Sequence, residues 1–477
     1  MRILCLPLDS RPCNVRFVES LVTWAGSEAV FPRPEEMDDY RRPAPREASR
    51  AFLLRELPRC DAAVVSLDHW CYGSLLASRE EAVSAEEALD RAEALQRILE
   101  RHAHIPVYLN SVILRSSIST LTQGDLRSYN AMTDYSFFSD RFRQLGDPAD
   151  EARAEEARRL IPDVVERALR LRKRNLLVNA AAVDMAAAGF ARSLCLLQED
   201  CQTYGLPKRD QDALLERLRA KKPRRVFLRN GADEGSAFLA AEALSQSLPP
   251  LEAEFVWLGD TGFTAAYEDR PFRDNVESAC RDMGIVEKED AETVFLICGP
   301  EDGKQREAAE AAERAGYPEA CARRADELTA TGKRVYLLDV IAANGGCAAL
   351  IRRLRGADRL WGYSAWNTAS NALGVLLAQA VTDSARGKKN EAFFRERLLD
   401  DGLYQAIVRQ KLNGRLWERG RDVFSLSDRP EAEALLRRLF SQALPGFWSL
   451  HRLPDYEITL PWARTFEADV RVKAEEP

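Results

Sequence analysis

The sequence predicts an α/β fold in which parallel strands alternate with helices, and three features support that prediction. Short apolar runs rich in Val, Ile and Leu recur along the 477 residues. Charged segments of helical length separate the runs, as expected for crossover helices between parallel strands. Polar residues follow most runs, at the edge where parallel strands end. We expect a (β/α)8-barrel-like fold with extra helices and a small C-terminal α/β extension; the alternative is two doubly wound α/β halves with a cleft.

Nine apolar runs are predicted to be strands, and eight of them would close the barrel. The strand at Glu254–Leu258 is placed outside the ring. In chain order the nine are Arg2–Pro7, Ala62–Leu67, Val107–Leu114, Ser193–Leu197, Arg225–Leu228, Glu254–Leu258, Thr293–Ile297, Arg334–Leu338 and Leu360–Ser364.

The segments between these strands are predicted to be helices, with one exception. Ser84–Arg101 opens with a capping box, Asp150–Lys173 is amphipathic, and Ala180–Ala191 is almost wholly apolar, which is typical of a buried helix. Arg115–Asp147 is polar and weakly periodic. Because long structureless segments in compact domains are usually functional or disordered, we expect a functional loop or lid there.

The end of the chain is predicted to form an extension. Helical patterns cover Asn371–Arg386 and Asn390–Leu412, and short strand patterns cover Tyr456–Leu460 and Phe466–Val472. We therefore predict a catalytic α/β domain over residues 1–385 and a helical and short-strand extension over residues 386–477.

Composition excludes several classes of protein. The formal net charge of -7 and the isoelectric point near 5.5 argue against nucleic acid and anionic membrane as partners. The first residues do not resemble a signal peptide, and no apolar run is long enough to span a membrane. Ten cysteines without a CxxC pair indicate a reducing compartment, so we expect a cytoplasmic protein. The sequence has only four histidines, which argues against a histidine-rich zinc site and against a Ser-His-Asp triad.

Candidate site residues come from the polar clusters that follow the strands. Asp, Asn and Ser at such positions also suit turns and helix caps, so each cluster has a structural alternative. The candidates are Asp9 and Arg11 after the first run, Asp68 and Tyr72 after the second, Arg115 after the third, Glu199 and Asp200 after the fourth, Asp233 and Glu234 after the fifth, and Asp339, Asn344, Trp366 and Asn367 after the last two.

Two acidic doublets supply the candidate catalytic groups. In Glu199-Asp200, as in Asp233-Glu234, burial and a neighbouring charge can raise the pKa of one carboxyl while the other stays ionised. Such a pair can act as general acid and general base on a glycosidic bond. We assign Asp200 as general acid, Glu199 as the polarising or orienting group, and Asp233 as a further catalytic acid. The acids of the second doublet could instead stabilise the N-terminus of a helix that begins at Gly235, by interacting with the helix dipole.

The remaining candidates are assigned to substrate binding. Trp70, Tyr72, Tyr204 and Trp366 could stack on a sugar ring, although each could equally be a packing residue. Arg11 is the strongest candidate for binding an anion, because a guanidinium among carboxylates either pairs with them or holds a substrate acid.

The chain also resembles a known bacterial family. The resemblance rests on Pro7-Leu8-Asp9-Ser10-Arg11-Pro12, Ser66-Leu67-Asp68, Gly231-Ala232-Asp233-Glu234, Trp366-Asn367-Thr368 and Pro461-Trp462-Ala463-Arg464-Thr465-Phe466-Glu467. The family is domain of unknown function forty-one twenty-seven, and the resemblance implies one shared architecture and a bacterial source but no activity. The acidic doublet is also similar to that of hexosaminidases of the O-GlcNAcase type, whose adjacent acids assist the acetamido group of the substrate.

We therefore expect a hydrolase that acts on a carbohydrate or amino sugar by carboxylate acid–base chemistry. Its expected substrate is a small polar molecule, a sugar. The reaction is expected to need no cofactor. One alternative is a metal-assisted hydrolase or isomerase with a divalent metal on Asp9, Asp68, Asp200 and Asp339. The other is a non-catalytic protein that binds a sugar.

Overall fold

The chain forms two compact units. The computed structural model describes residues 1–308, 316–447 and 455–473. The first unit comprises Met1–Ala243 and Tyr267–Asp269; the second comprises Leu244–Ala266 and the described residues from Arg270 onward. The boundary predicted after residue 385 therefore lies inside the second unit.

The first unit is built on a parallel sheet of six strands. The strand order is β2-β1-β3-β4-β5-β6, and every neighbouring pair is parallel. The strands are β1 (Arg2–Leu6), β2 (Glu28–Val30), β3 (Ala62–Ser66), β4 (Val107–Ile113), β5 (Ser193–Gln198) and β6 (Val226–Asn230).

Helices cover both faces of this sheet. On one face, Leu194 and Leu196 of β5 pack in a hydrophobic core with helical residues such as Leu95 and Val178. On the other face, the ring of Phe227 in β6 lies 6.0 Å from that of Phe238. The helices are α1 (Arg16–Trp24), α2 (Arg46–Glu56), α3 (Leu67–Tyr72), α4 (Ala85–Arg101), α5 (Leu126–Leu145), α6 (Pro148–Leu160), α7 (Pro162–Ala187), α8 (Leu206–Lys221) and α9 (Gly235–Ser245).

The segment predicted as a long loop or lid is largely helical. Helix α5 occupies Leu126–Leu145, and only the part before it lacks regular structure apart from one short turn. The prediction was wrong there because α5 buries only four residues, two of them polar, so the chain shows little hydrophobic period. The predicted buried helix Ala180–Ala191 is the end of α7, which Pro162 separates from α6.

The second unit contains a parallel sheet of five strands. Its order is β8-β7-β9-β11-β13. The strands are β7 (Leu251–Leu258), β8 (Ile285–Glu287), β9 (Thr293–Cys298), β11 (Arg334–Asp339) and β13 (Gly362–Ser364). Two small sheets accompany it: β10 (Arg306–Glu307) pairs in parallel with β12 (Ala342–Ala343), and β14 (Tyr456–Thr459) pairs antiparallel with β15 (Asp469–Val472).

The predicted C-terminal extension packs into the core of this second unit. Phe394 and Leu436 belong to the same buried cluster as Leu296 of β9 and Leu337 of β11. The described helices are α10 (Phe272–Met283), α11 (Tyr317–Ala330), α12 (Ala348–Ile351), α13 (Ala369–Arg386), α14 (Glu391–Arg397), α15 (Arg409–Trp417) and α16 (Arg429–Phe447), with a π-helical stretch at Leu398–Val408. None of the helices in the described ranges is long and apolar enough to cross a membrane.

The α/β prediction is confirmed, but barrel closure is not observed among the described residues. All nine predicted strands exist, and they pair in two open sheets. Each sheet has its second strand on one side of its first and its third strand on the other, which is a doubly wound order. The order therefore follows the predicted alternative of two doubly wound halves.

Candidate active site of the first unit

The loops after β1 and β3 meet at the point where the strand order of the first sheet reverses. In open α/β sheets, ligands bind outside the carboxyl ends of the strands at such a point. Asp9 and Arg11 follow β1, and Asp68 follows β3. The sequence-predicted residues of these two loops thus occupy the position where this topology usually binds a ligand.

Arg11 lies between two buried carboxylates. Its Nε and Nη2 donate to both oxygens of Asp9 at 2.7–3.0 Å, and its Nη1 and Nη2 donate to Asp233 at 3.0 and 2.6 Å. Asn14 Nδ2 donates a further hydrogen bond of 2.9 Å to Asp9. Arg11 therefore pairs with side chains of the protein, which was one of its two predicted roles, and it joins the loop after β1 to the loop after β6.

Asp68 is a buried carboxyl in the first turn of α3. Its Oδ2 accepts a 2.8 Å hydrogen bond from the backbone N–H of Val112. Burial raises the pKa of Asp68 to about 7, and the charge of Glu199 contributes to the increase. Near neutral pH this carboxyl can therefore both hold and release a proton.

Glu199 and Asp200 directly follow β5 and lie beside two arginines. Arg115 lies 3.9 Å from Glu199 and pairs directly with Asp200, while Arg79 pairs directly with Glu199. The side chains of Glu199 and Asp200 are 12% and 20% exposed. The backbone of Asp200 has a φ of +34°, an uncommon conformation for a non-glycine residue that clusters at functional sites.

The pKa values of these neighbouring acids move in opposite directions. Burial raises the pKa of Asp200, and the charge of Glu199 adds to this, although Arg115 acts against it. Burial also acts to raise the pKa of Glu199, but the guanidinium groups of Arg79 and Arg115 outweigh it and the pKa is lowered. Adjacent acids with diverging pKa values suit the separate roles of proton donor and ionised carboxylate.

Glu234 is a buried acid that precedes α9. Neither carboxyl oxygen accepts a hydrogen bond from the described residues, and the nearest guanidinium nitrogen recorded is Arg229 Nε at 3.9 Å from Oε1. Burial raises the pKa of Glu234 to about 8 despite Arg229, and the charges of Asp233 and Glu268 add to the increase. The carboxyl is therefore largely protonated at neutral pH and can donate a hydrogen bond.

Replacing Glu234 by glutamine is expected to flatten the pH dependence of stability. The pKa of Glu234 is higher in the folded state than its value of 4.5 in the unfolded state. Such a carboxyl stabilises the folded state fully below pH 4.5, and this stabilisation is lost as pH rises towards 8. The free energy of unfolding of the parent should therefore fall relative to E234Q by up to about 1.4 kcal/mol per pH unit in this window. Urea denaturation between pH 5 and 9 measures the difference, with the exposed Glu166→Gln as control; equal slopes in parent and E234Q would contradict it.

Long-range charge effects connect these acids into one cluster. The charges of Asp9 and Glu199 contribute to the raised pKa of Asp233, and Asp233 contributes to that of Asp200. Glu199 also acts on Asp68. The carboxyl ends of β1, β3, β4, β5 and β6 therefore bring eight of the candidate residues into one electrostatic neighbourhood: Asp9, Arg11, Asp68, Arg115, Glu199, Asp200, Asp233 and Glu234.

The aromatic candidates of this unit are mainly packing residues. Trp70 and Tyr72 lie in the hydrophobic core, Trp70 Nε1 donates to the carbonyl of Arg91 at 2.6 Å, and Arg174 stacks on Tyr72 at 4.4 Å. Tyr204 makes an edge contact with Phe137 at 5.7 Å. Trp70 and Tyr72 are therefore packing residues, as the alternative interpretation held, because α3 places both rings in the hydrophobic core.

Four predicted residues belong to the second unit, at the carboxyl ends of β11 and β13. Asp339 is fully buried, accepts hydrogen bonds from Cys347 N–H (2.6 Å) and Tyr363 Oη (3.0 Å), and has its pKa raised by burial to about 6. Asn344 N–H donates to the carbonyl of Asn367 at 2.7 Å, and both residues have φ values near +57°. Trp366 is buried, with its ring 6.3 Å from that of Phe466.

Comparison with known proteins places the whole chain in one family. A family model described as "Protein of unknown function (DUF4127)" matches residues 3–471. The chain belongs to the DUF4127 family. The resemblance inferred from the motifs is thereby confirmed. No curated protein and no solved structure matches the chain.

The sequence analysis of this DUF4127 chain missed two residues that act on the acidic cluster, Asp38 and Arg79. Asp38 accepts a 2.8 Å hydrogen bond from Ser10 N–H, and burial together with the charge of Asp9 raises its pKa well above the usual value. It lies beyond β2 and the short turn at Pro34–Glu36, so it does not directly follow a strand and the strand-end pattern did not include it. No sequence pattern marked Arg79 as a site residue, because it lies in a short turn well beyond the end of β3.

The described residues contain no group of three or more Asp, Glu, His or Cys arranged to hold a metal ion. Of the four aspartates considered as ligands, Asp9 uses both oxygens on Arg11, and Asp200 pairs with Arg115. Asp68 accepts a hydrogen bond from a backbone N–H, and Asp339 accepts hydrogen bonds from a backbone N–H and a tyrosine hydroxyl.

Proposed function

We propose that the first unit carries an acid–base active site that hydrolyses a glycosidic bond in a carbohydrate or amino sugar. The observation that carries the proposal is the pair Glu199-Asp200, whose pKa values are shifted in opposite directions at the end of β5. Asp200 acts as general acid, and Glu199 is the ionised partner.

The opposite directions of the two pKa shifts suit the two halves of such a reaction. Protonated Asp200 donates its proton to the leaving oxygen as the glycosidic bond breaks, and Glu199 stabilises the positive charge that develops on the sugar ring. Asp200, now ionised, takes a proton from the attacking water. In an amino sugar, Glu199 could instead orient the acetamido group of the substrate for attack.

The surroundings of the pair support a polar substrate. Arg79 and Arg115 hold the acids while presenting further N–H donors, and Asp200 keeps one fifth of its side chain exposed. Asp68 and Glu234, with pKa values raised to about 7 and about 8, supply carboxyl groups that can donate to or accept from sugar hydroxyls. We retain the cytoplasm as the proposed location; all ten cysteines are buried.

A panel of 4-nitrophenyl glycosides and N-acetylhexosaminides tests the proposal. We expect at least one substrate to release nitrophenol with saturation kinetics, and we expect the rate to stay within about twofold after the protein is treated with a chelator, since proton transfer between carboxyls needs no metal. A loss of activity that returns with a divalent ion would favour the metal-assisted alternative. Tight binding of a sugar without product would favour the non-catalytic alternative.

A further inference from the structure

The turn that carries Arg79 lies well beyond the end of β3. Residues 77–83 (the Arg79 turn) begin with a single 3₁₀ turn at Ala77–Arg79. Arg79 pairs with Glu199 through Nη2, its Nη1 donates to Ser119 Oγ at 2.9 Å, and the side chain is 8% exposed. Because a short segment of this kind has little rigidity of its own, the position of the guanidinium depends on the contacts that hold the turn.

Helix α7 holds the Arg79 turn through a buried arginine, Arg174. The Nη1 group of Arg174 donates to the carbonyl of Glu80 at 2.7 Å, and its Nη2 donates to the carbonyl of Ser78. These two residues are the chain neighbours of Arg79. Asn175, also on α7, donates a further hydrogen bond of 3.0 Å from Nδ2 to the carbonyl of Ser78. The backbone on both sides of Arg79 is therefore held by α7.

The guanidinium of Arg174 is itself fixed by its surroundings. The residue is 4% exposed, its Nε donates to Asn175 Oδ1 at 3.0 Å, and its Nη1 donates also to the carbonyl of Val83 at 2.9 Å. The guanidinium lies 4.4 Å from the ring centre of Tyr72. Burying a guanidinium is costly unless its N–H groups are hydrogen-bonded, and here each of the three nitrogens has an acceptor. This planar group therefore has one defined position.

Two exposed arginines of α7 contact the same turn and provide a comparison. Arg170 donates to the Glu81 side chain at 3.0 Å, and Arg167 pairs with the Glu80 side chain. The side chains of Arg170 and Arg167 are 62% and 43% exposed. Exposed ion pairs of this kind add little stability, and they bind side chains of the turn, not its backbone. Among these three arginines, Arg174 is therefore the one that determines where the backbone of the turn lies.

We propose that Arg174 is a positioning residue of the active site, which acts through the Arg79 turn and Arg79 to hold Glu199 in place. The inference rests on the proposed function and deepens it, because the hydrogen bonds of Arg174 go to the turn and to Asn175 and not to the acids. Catalytic groups need supporting residues that hold them in the productive geometry. Without Arg174 the carbonyls of the turn lose their donors, Arg79 is no longer held beside Glu199, and the carboxylate loses its cation.

The test follows the pKa of the Glu199 carboxyl in the full chain by ¹³C NMR titration, with the signal identified by its loss in Glu199→Gln. Arg79→Gln should raise this pKa by about one unit or more, because a cation beside a carboxyl lowers its pKa. Arg174→Met should raise it by about half a unit or more, since the turn that places the cation is released. In the R79Q background, R174M should change the pKa by less than about 0.2 units, because residues that act through one contact are not additive.

The same double-mutant cycle separates this route from a direct effect of charge. The charge of Arg174 acts on Asp68, and so does the charge of Glu199. An effect of R174M that reached Glu199 through Asp68 would persist in the R79Q background, whereas an effect through Arg79 would disappear there. Other charged groups near Glu199 are unchanged in every variant: Arg11, Arg115, Asp200 and Asp233.

A milder variant and a matched control complete the experiment. Asn175→Ala removes one hydrogen bond to the turn and one contact of Arg174, so it should give a smaller shift in the same direction, and it keeps the test valid if R174M does not fold. Arg170→Gln is the control on the same helix and the same turn, and it should leave the Glu199 pKa within about 0.1 units of the parent.

The proposal is overturned if the folded variants R174M and N175A leave the Glu199 pKa at the parent value, or if their shift persists in the R79Q background. Because the titration needs no substrate, the absence of glycosidase activity does not decide its outcome. If a glycoside is hydrolysed and Glu199 titrates in R174M as in the parent, only the role of Arg174 fails and the hydrolase proposal stands.

Discussion

Replacing Arg11 by methionine is expected to lower the free energy of unfolding by about 3–5 kcal/mol, the effect of removing one partner from a buried ion pair. Arg11 pairs with both Asp9 and Asp233, and all three residues are buried. Methionine fills much of the same volume but leaves two carboxyls without their cation. Urea denaturation followed by circular dichroism measures the loss.

The control for this variant is Arg50→Met on the exposed face of α2, where the ion pair with Glu47 is solvated. Exposed pairs contribute about 0–1 kcal/mol, so R50M should unfold close to the parent. The loss in R11M should also shrink as pH falls, because burial raises the pKa of Asp233 and a protonated Asp233 no longer needs a cation. A loss in R11M no larger than that in R50M would show that the triad does not hold the two loops together.

Asp200→Asn is expected to reduce kcat/KM on an unactivated glycoside by about 10²–10⁴-fold, the usual contribution of a general acid. The amide is nearly the same size as the carboxyl but has no acidic proton to give to the leaving oxygen. It also leaves Arg115 with Glu199 as a neighbouring carboxylate, so the fold should persist. Steady-state rates on the best substrate of the glycoside panel measure the effect.

Asp212→Asn is the matched control, because Asp212 is an exposed carboxylate on α8 in the same unit. Its removal should change kcat/KM by less than about twofold, since exposed pairs contribute little. If D200N and D212N were equally active, Asp200 would not be the general acid.

The strands were predictable from the sequence, but their arrangement in the sheets was not. Apolar runs such as Thr293–Ile297 are strands because they are buried on both faces, and that pattern is the same in a closed barrel and an open sheet. The strand orders depend on β2 and β8, three residues each, which are too short to show a hydrophobic period. These short strands lie beside β1 and β7 and create the reversal of strand order.

The proximity of some candidate residues could be predicted because they follow neighbouring strands. Asp9, Asp68, Asp200 and Asp233 converge because parallel strands end at one edge. Pairing partners were not predictable, because a sequence does not show whether Arg11 faces a substrate or two aspartates. The orientation of helices could not be predicted either. Helix α3 follows β3 just as the site loops follow their strands, but its Tyr72 side chain packs in the core.

The most direct measurement is kcat/KM for the parent and D200N on aryl glycosides whose leaving groups span a wide range of acidity. If Asp200 protonates the leaving oxygen, the D200N deficit should be large for poorly acidic phenols and should shrink towards onefold for strongly acidic ones, which leave without a proton. A deficit that stays constant across the series, or no deficit at all, would contradict the assignment of Asp200 as the general acid of the first unit.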